Sequence, residues 1–308
     1  MDKKTSSQVV FWGAMVVVMG IVAFVIYKGK QASAPPPPSA TEQNAVPAKK
    51  MAGVSPSVPR TAEPLDEYTR YFKSGVYPAR SEKFSFDMTY HWFAPRKPWP
   101  AGIKFPMVMV LHNNTGKADA AKYIIQPKMQ LEYPAFVVVP VLPPGLIWAA
   151  PESFPGYPKL DKFIAGRKAL FAAMDLAHQF AQDNPVDPAR IYVVGCSDGG
   201  IGAFGAAKDY ADLVAGVVSV SGGWSVEDAP AFLRTPLLAI HGSDDMALNA
   251  ELSRTVANVA RNLGGPVQYI EFPKQGHDCT APHQYSATVL KWLFSQKKLF
   301  VPKPAAAP

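Results

Sequence analysis

Residues 190–210 read RIYVVGCSDGGIGAFGAAKDY, and three textures follow one another there. The run IYVV (191–194) is apolar and rich in β-branched residues, as a buried strand requires. Gly195, Cys196, Ser197, Asp198, Gly199 and Gly200 then form a tight turn. The small-residue stretch at 201–210 reads as a helix. A G-x-S-x-G set between a strand and a helix has a physical reason. The serine sits in a strained turn that pushes its hydroxyl out of the sheet. Gly195 and Gly199 have no Cβ, so strand and helix can close around it. This reading makes Ser197 a nucleophile. The plain alternative is a glycine-rich turn, and the strand–turn–helix placement argues against it.

Further apolar runs lie on both sides: FPMVMVLHN (105–113), AFVVVPV (135–141), VAGVVSVSG (214–222), PLLAIHG (236–242) and VQYIEFP (267–273). Their apolarity is continuous rather than alternating, which suits strands buried on both faces of a parallel sheet. Residues 163–182 read as a helix with Leu170, Met174, Ala177 and Ala181 on one stripe. Residues 252–263 and 285–294 read the same way. Strands alternating with helices predict an α/β fold with a doubly wound, mostly parallel sheet.

A hydroxyl is a poor nucleophile until a base takes its proton, and the base needs a third group to orient it. Downstream of Ser197, the run PLLAI ends in His241-Gly242-Ser243-Asp244-Asp245. The run VQYIEFP is followed by Lys274-Gln275-Gly276-His277-Asp278. An acid and a histidine therefore follow the serine in chain order, each just past a strand. The C-terminal ends of parallel strands converge on one edge of the sheet. Asp245 and His277 are the expected acid and base, with Asp244 and His283 as fallbacks. Taken singly, the aspartates are also ordinary turn or cap residues, and His277 an ordinary loop histidine. His241 and His112 are expected to pack or hydrogen-bond near strand ends.

Acyl transfer also needs donors aimed at the developing oxyanion. The N–H of Asp198, just after the nucleophile, is one expected donor. The loop His112-Asn113-Asn114-Thr115-Gly116 offers the N–H of Asn114 as the second. Otherwise that loop is a turn rich in Asn and Gly.

Together, DPARIYVVGCSDGG, HGSDD and QGHD resemble the α/β-hydrolase superfamily, closest to its esterase, dienelactone-hydrolase-like and polyester-depolymerase-like branches. The resemblance covers about residues 84–300. In those families the acid falls four residues after the histidine of an HGxxD segment, which is Asp245 here. Their oxyanion loop commonly reads LHG followed by the donor residue; in this chain Asn113 stands where the glycine would. The DPxRI…GxSxGG string also resembles prolyl-oligopeptidase catalytic domains.

The chain has 2 cysteines, too few for a CxxC-type zinc cluster, and no metal or other cofactor is expected. Cys196 precedes Ser197 and Cys279 lies two residues after His277. If Ser197 and His277 share a hydrogen bond, their chain neighbours are close enough for a disulfide. Tannase and feruloyl-esterase families have a similar arrangement, with the second cysteine directly after the histidine. Such a bridge implies an oxidising compartment. Two buried free thiols are the alternative.

Residues 9–27, VVFWGAMVVVMGIVAFVIY, carry no charge and match the ~20 residues that span a bilayer. A cleaved signal peptide usually has a shorter apolar core of ~7–15 residues, so an uncleaved anchor is expected. It follows a short tail (1–8). Lys3 and Lys4 before it balance Lys28 and Lys30 after it, so charge leaves the orientation open. The default for an export-type anchor is an extracytoplasmic or periplasmic catalytic domain. Residues 28–67 include PPPP and suit a flexible linker of up to ~100 Å at ~3.1 Å per residue. The catalytic domain is expected over 68–300, with a disordered tail at 301–308. The net charge of +7 is scattered and forms no stripe interleaved with aromatics, so nucleic-acid binding is not expected.

These readings converge on a membrane-anchored enzyme that cleaves a carboxylic ester, small or polymeric, through a serine acyl-enzyme. Trp148 and Trp224 are candidate pocket residues, and residues 143–162, with Phe154 and Tyr157, a candidate cap. A peptidase and a non-catalytic tethered binding domain are the alternatives. The complete Ser–Asp–His order counts against the second.

Overall fold

In the computed structural model, which describes residues 70–151 and 167–298, eight strands form one sheet. They are β1 (Lys73–Ser81), β2 (Phe84–Phe93), β3 (Phe105–Leu111), β4 (Phe136–Pro140), β5 (Val186–Cys196), β6 (Gly216–Val220), β7 (Leu237–Gly242) and β8 (Val267–Phe272). Their spatial order is β1-β2-β4-β3-β5-β6-β7-β8. The hairpin β1–β2 joins β4 antiparallel, and every pairing from β4 through β8 is parallel. The sheet is thus mostly parallel, as the continuous apolar runs predict.

Both faces are covered, and β3 shows why its sequence lacks alternation. All of its residues are buried. Met107, Met109 and Leu111 belong to one apolar cluster, while Val108 and Val110 belong to another. Successive side chains point to opposite faces, so a strand with a core on each side must be apolar throughout. Fully burying such a side chain is worth about 1.5–3 kcal/mol.

The helices are α1 (Asp119–Ile124), α2 (Pro127–Glu132), α3 (Lys168–Asp183), α4 (Asp198–Asp209), α5 (Glu251–Asn262) and α6 (Ala287–Ser295). Leu170 and Met174 of α3, Phe204 of α4 and Val256 of α5 pack into the first cluster. Ala121 and Ile124 of α1, Met129 of α2 and Leu290 and Leu293 of α6 pack into the second. The result is a three-layer doubly wound domain. The loops after β3, β5, β7 and β8 all leave from one edge of its sheet.

The expected anchor, linker, terminal tails and most of the candidate cap, including Phe154 and Tyr157, lie outside the described residues. Among the described residues no helix is long and apolar enough to cross a membrane.

Candidate active site

Ser197 stands between β5 and α4 with φ 58° and ψ −121°, the strained turn the glycine spacing predicts. A non-glycine residue held there costs on the order of 1–3 kcal/mol. The neighbours hold it in place. Its N–H donates to the Val220 carbonyl of β6 at 3.0 Å, and its carbonyl accepts from the Ile201 N–H at 2.9 Å. A Cβ on Gly195 would lie 2.0 Å from the Gly199 carbonyl oxygen, and one on Gly199 would lie 2.0 Å from the Leu111 carbonyl oxygen. No flexible side chain is involved, so neither position has room for any residue but glycine.

The loops after β7 and β8 bring two groups to this serine. His277 Nε2 lies 3.0 Å from Ser197 Oγ, and His277 Nδ1 lies 2.7 Å from Asp245 Oδ2. Asp244 is exposed and accepts from its neighbour Ser243 at 2.6 Å. His283 is also exposed and lies 2.6 Å from Gln275 Oε1. The fallback residues therefore have other partners.

The Asp245 side chain is fully buried. Its Oδ1 accepts from the N–H groups of Ala247 at 2.9 Å and Leu248 at 2.8 Å. Its Oδ2 faces His277 and also His241 Nε2, at 3.1 Å. Burial alone would raise this carboxyl. Hydrogen bonds from His241, His277 and the Leu248 N–H outweigh burial and hold it well below the usual carboxylate range. The Asp245 carboxylate is thereby held as a fixed anion. The contact with His241 was not legible in the sequence beyond packing near a strand end. Its only local sign is the four-residue spacing from His241 to Asp245.

Asp198 is the first residue of α4, and Asn114 is exposed on the loop after β3. That loop is built around His112 and Asn113. Asn113 Oδ1 accepts from Thr115 N–H at 2.9 Å and Lys117 N–H at 3.1 Å. The Asn113 N–H donates to the Lys117 carbonyl at 3.1 Å. His112 Nε2 accepts from Leu142 N–H at 2.9 Å, so its proton sits on Nδ1, 2.7 Å from the Asn113 carbonyl. Burial pushes this imidazole below the ordinary histidine value, against the opposite pull of the Asn113 hydrogen bond.

Trp148 and Trp224 correct the expectation that they line a pocket. They are 1% and 2% exposed and belong to the core beneath the site. Each indole N–H has a partner: Trp148 Nε1–H donates to the buried His112 carbonyl at 2.9 Å, and Trp224 Nε1–H to the half-buried Asp228 Oδ2 at 2.7 Å. Trp224 follows the end of β6 and Trp148 lies in the loop after β4, but both rings turn into the packed layer that contains α4.

Cys196 and Cys279 form a disulfide with Cα atoms 5.7 Å apart. The histidine loop is tied further by Tyr285 Oη–H to the Cys279 carbonyl at 3.1 Å and Tyr123 Oη–H to the Thr280 carbonyl at 2.7 Å. Among the described residues no group of three or more His, Cys, Asp or Glu is placed to hold a metal ion.

Residues 173–284 match the phospholipase/carboxylesterase family model. The fold is similar to that of a thermostable esterase at 24% identity and TM-score 0.64, covering 74% of this chain and 64% of that one. It is similar to a Pyrococcus horikoshii acylaminoacyl peptidase at 16% identity and TM-score 0.51, covering 76% and 43%. It is also similar to a ferulic acid esterase at 16% identity and TM-score 0.52, covering 72% and 98%. The chain spans less than two thirds of the first two proteins. No curated protein matches the chain.

Proposed function

We propose that this chain, a member of the α/β-hydrolase superfamily, is a serine hydrolase that cleaves carboxylic esters and is tethered to a membrane by residues 9–27. One observation carries the reading: Ser197 Oγ, His277 and Asp245 form an unbroken relay, with contacts of 3.0 and 2.7 Å. The match of residues 173–284 to the phospholipase/carboxylesterase model supports an ester over an amide.

His277 takes the Ser197 proton as the alkoxide attacks the ester carbonyl. The N–H groups of Asp198 and Asn114 receive the oxyanion, each supplying about 2.7–4 kcal/mol of transition-state stabilisation. Asp245 stabilises the His277 imidazolium, which then protonates the leaving alcohol. Water hydrolyses the acyl-enzyme with His277 again as base.

The test is fluorophosphonate labelling of the protein, with the adduct mapped by mass spectrometry. An adduct on Ser197 that disappears in His277→Ala supports the reading, and no adduct on folded protein overturns it. Ester and peptide-amide panels then separate esterase from peptidase. For the tether, the full chain should sediment with membranes after alkaline carbonate, and a chain lacking residues 1–30 should not.

A further inference from the structure

We propose that His241 is a positioning residue for the catalytic acid: its Nε2–H holds Asp245 Oδ2 in the orientation that His277 requires. The proposal rests on the serine-hydrolase reading above.

The protonation of His241 follows from its partners. Nε2 lies 3.1 Å from Asp245 Oδ2 and 3.0 Å from the Leu248 carbonyl oxygen. Both are acceptors, so Nε2 carries a hydrogen. Nδ1 lies 2.6 Å from Ser253 Oγ, which can give its hydrogen to the ring. That hydroxyl also lies 3.3 Å from the Ala250 carbonyl and hydrogen-bonds Tyr269; its contact with His241 is shorter than that with Ala250. A proton on Nε2 satisfies the contacts to Asp245 and Leu248 and leaves Nδ1 to accept from Ser253. The side chains of His241 and Asp245 are both fully buried, so no water competes for them.

The geometry explains why a donor stands here. An apolar side chain would fill a buried space beside β7 with no polar partners to find. Asp245 needs more than filling. The Ala247 and Leu248 N–H groups fix Oδ1. Oδ2 must meet His277 Nδ1 at one lone pair while its other lone pair is buried. A buried acceptor site left unmade is costly, and the carboxylate could relieve it by turning away from His277. His241 occupies that second site. Ser253, on α5, fixes the His241 ring from behind. One chain of contacts thus runs from α5 to the nucleophile: Ser253, His241, Asp245, His277, Ser197.

Three readouts test this. Nitrogen-15 spectra of the wild-type histidines report the tautomer without reference to activity. The proposal expects a protonated Nε2 on His241, and a bare Nε2 overturns it. Steady-state ester kinetics compare His241→Met, which removes the donor, with His241→Gln, whose amide restores one near the Nε2 position. The expected result is a fall in kcat of about 10- to 100-fold for His241→Met with KM unchanged, and a loss of no more than about threefold for His241→Gln. Wild-type kcat in His241→Met, or equal losses in both variants, overturns the proposal. If His241→Met does not fold, the tautomer and the His241→Gln kinetics decide. Fluorophosphonate labelling of the wild type runs alongside. Failure to label Ser197 would count against the serine-hydrolase reading, while a labelled wild type with an indifferent His241 counts against this inference alone.

Discussion

Cys196 and Cys279 are bridged with Cα atoms 5.7 Å apart, and the bridge runs beside the hydrogen bond between Ser197 and His277. One half-cystine adjoins Ser197, and the other lies two residues beyond His277. The bridge therefore fastens the two loops that carry Ser197 and His277, whose separation the proposed proton transfer depends on.

The bridge closes a loop with a sequence separation of 83, worth about 4–5 kcal/mol in the chain-entropy model. The histidine loop keeps its bonds from Tyr285 and Tyr123 when the bridge is cut. Each of these contributes about 1 kcal/mol, enough to hold the loop near its place in folded protein. The double variant Cys196→Ala/Cys279→Ala should therefore lose stability far more than kcat. Urea unfolding and ester turnover measured together check this. A kcat as low as that of His277→Ala would mean that the bridge alone positions the base.

Ser197→Ala should lower kcat on the order of 10⁶-fold, and His277→Ala by a similar factor. The two groups act as one unit, so the double variant should be no slower than either single one. Additive losses would show that Ser197 and His277 work separately, against the 3.0 Å contact between them. Steady-state turnover of a chromogenic ester at saturating concentration makes the comparison.

Much of this site was legible in the sequence because each part is local. The elbow is a short string whose glycines answer a backbone clash, and Asp245 and His277 each follow an apolar strand. The bridge followed from the same adjacency. The hairpin of β1 and β2 was not legible: it lies at the sheet edge with many residues exposed or half-buried, so it forms no continuous apolar run. Short helices α1 and α2 also went unread, since six residues each show too little periodicity. Trp224 was misread because a strand end says where a residue leaves the sheet, not which way its ring turns, and Trp148 because an aromatic in a loop segment can turn into the core as readily as over a site. His241 was expected only to pack or hydrogen-bond near a strand end; its partners Asp245 and Ser253 become visible only once the turn after β7 and the start of α5 fold back on it.

Asp245 should give the protein a distinctive acid limb. Its folded-state carboxyl lies well below the usual range, so the unfolded chain takes up the proton first, near ~3.9. The stability it contributes is fully present above that value and is lost as pH falls through it toward the folded value. Asp245→Asn removes the contribution. The gap in unfolding free energy between wild type and Asp245→Asn should narrow below about pH 4. Chemical unfolding from pH 5 downward reads it. A gap that stays constant would mean that Asp245 is not the anion its four donors imply.

Trp148 offers the sharpest separation of packing from pocket. Its Nε1–H donates to the His112 carbonyl at 2.9 Å, and its ring meets the His112 imidazole edge-on with centroids 5.2 Å apart. His112 begins the loop that carries Asn114, so this bond fixes the loop from below. Trp148→Phe keeps an apolar ring in the core but removes the only donor it offers, which costs about 1–3 kcal/mol of stability. A loop that drifts misplaces the Asn114 N–H, the proposed oxyanion donor, and such a donor matters to the oxyanion more than to the bound ester. Trp148→Phe should therefore lower kcat several-fold while leaving KM unchanged across esters of increasing acyl length. A wall of the substrate pocket would behave oppositely, with KM shifting as the acyl chain grows. Kinetics over such a series decide whether Trp148 acts through His112 or touches the substrate itself.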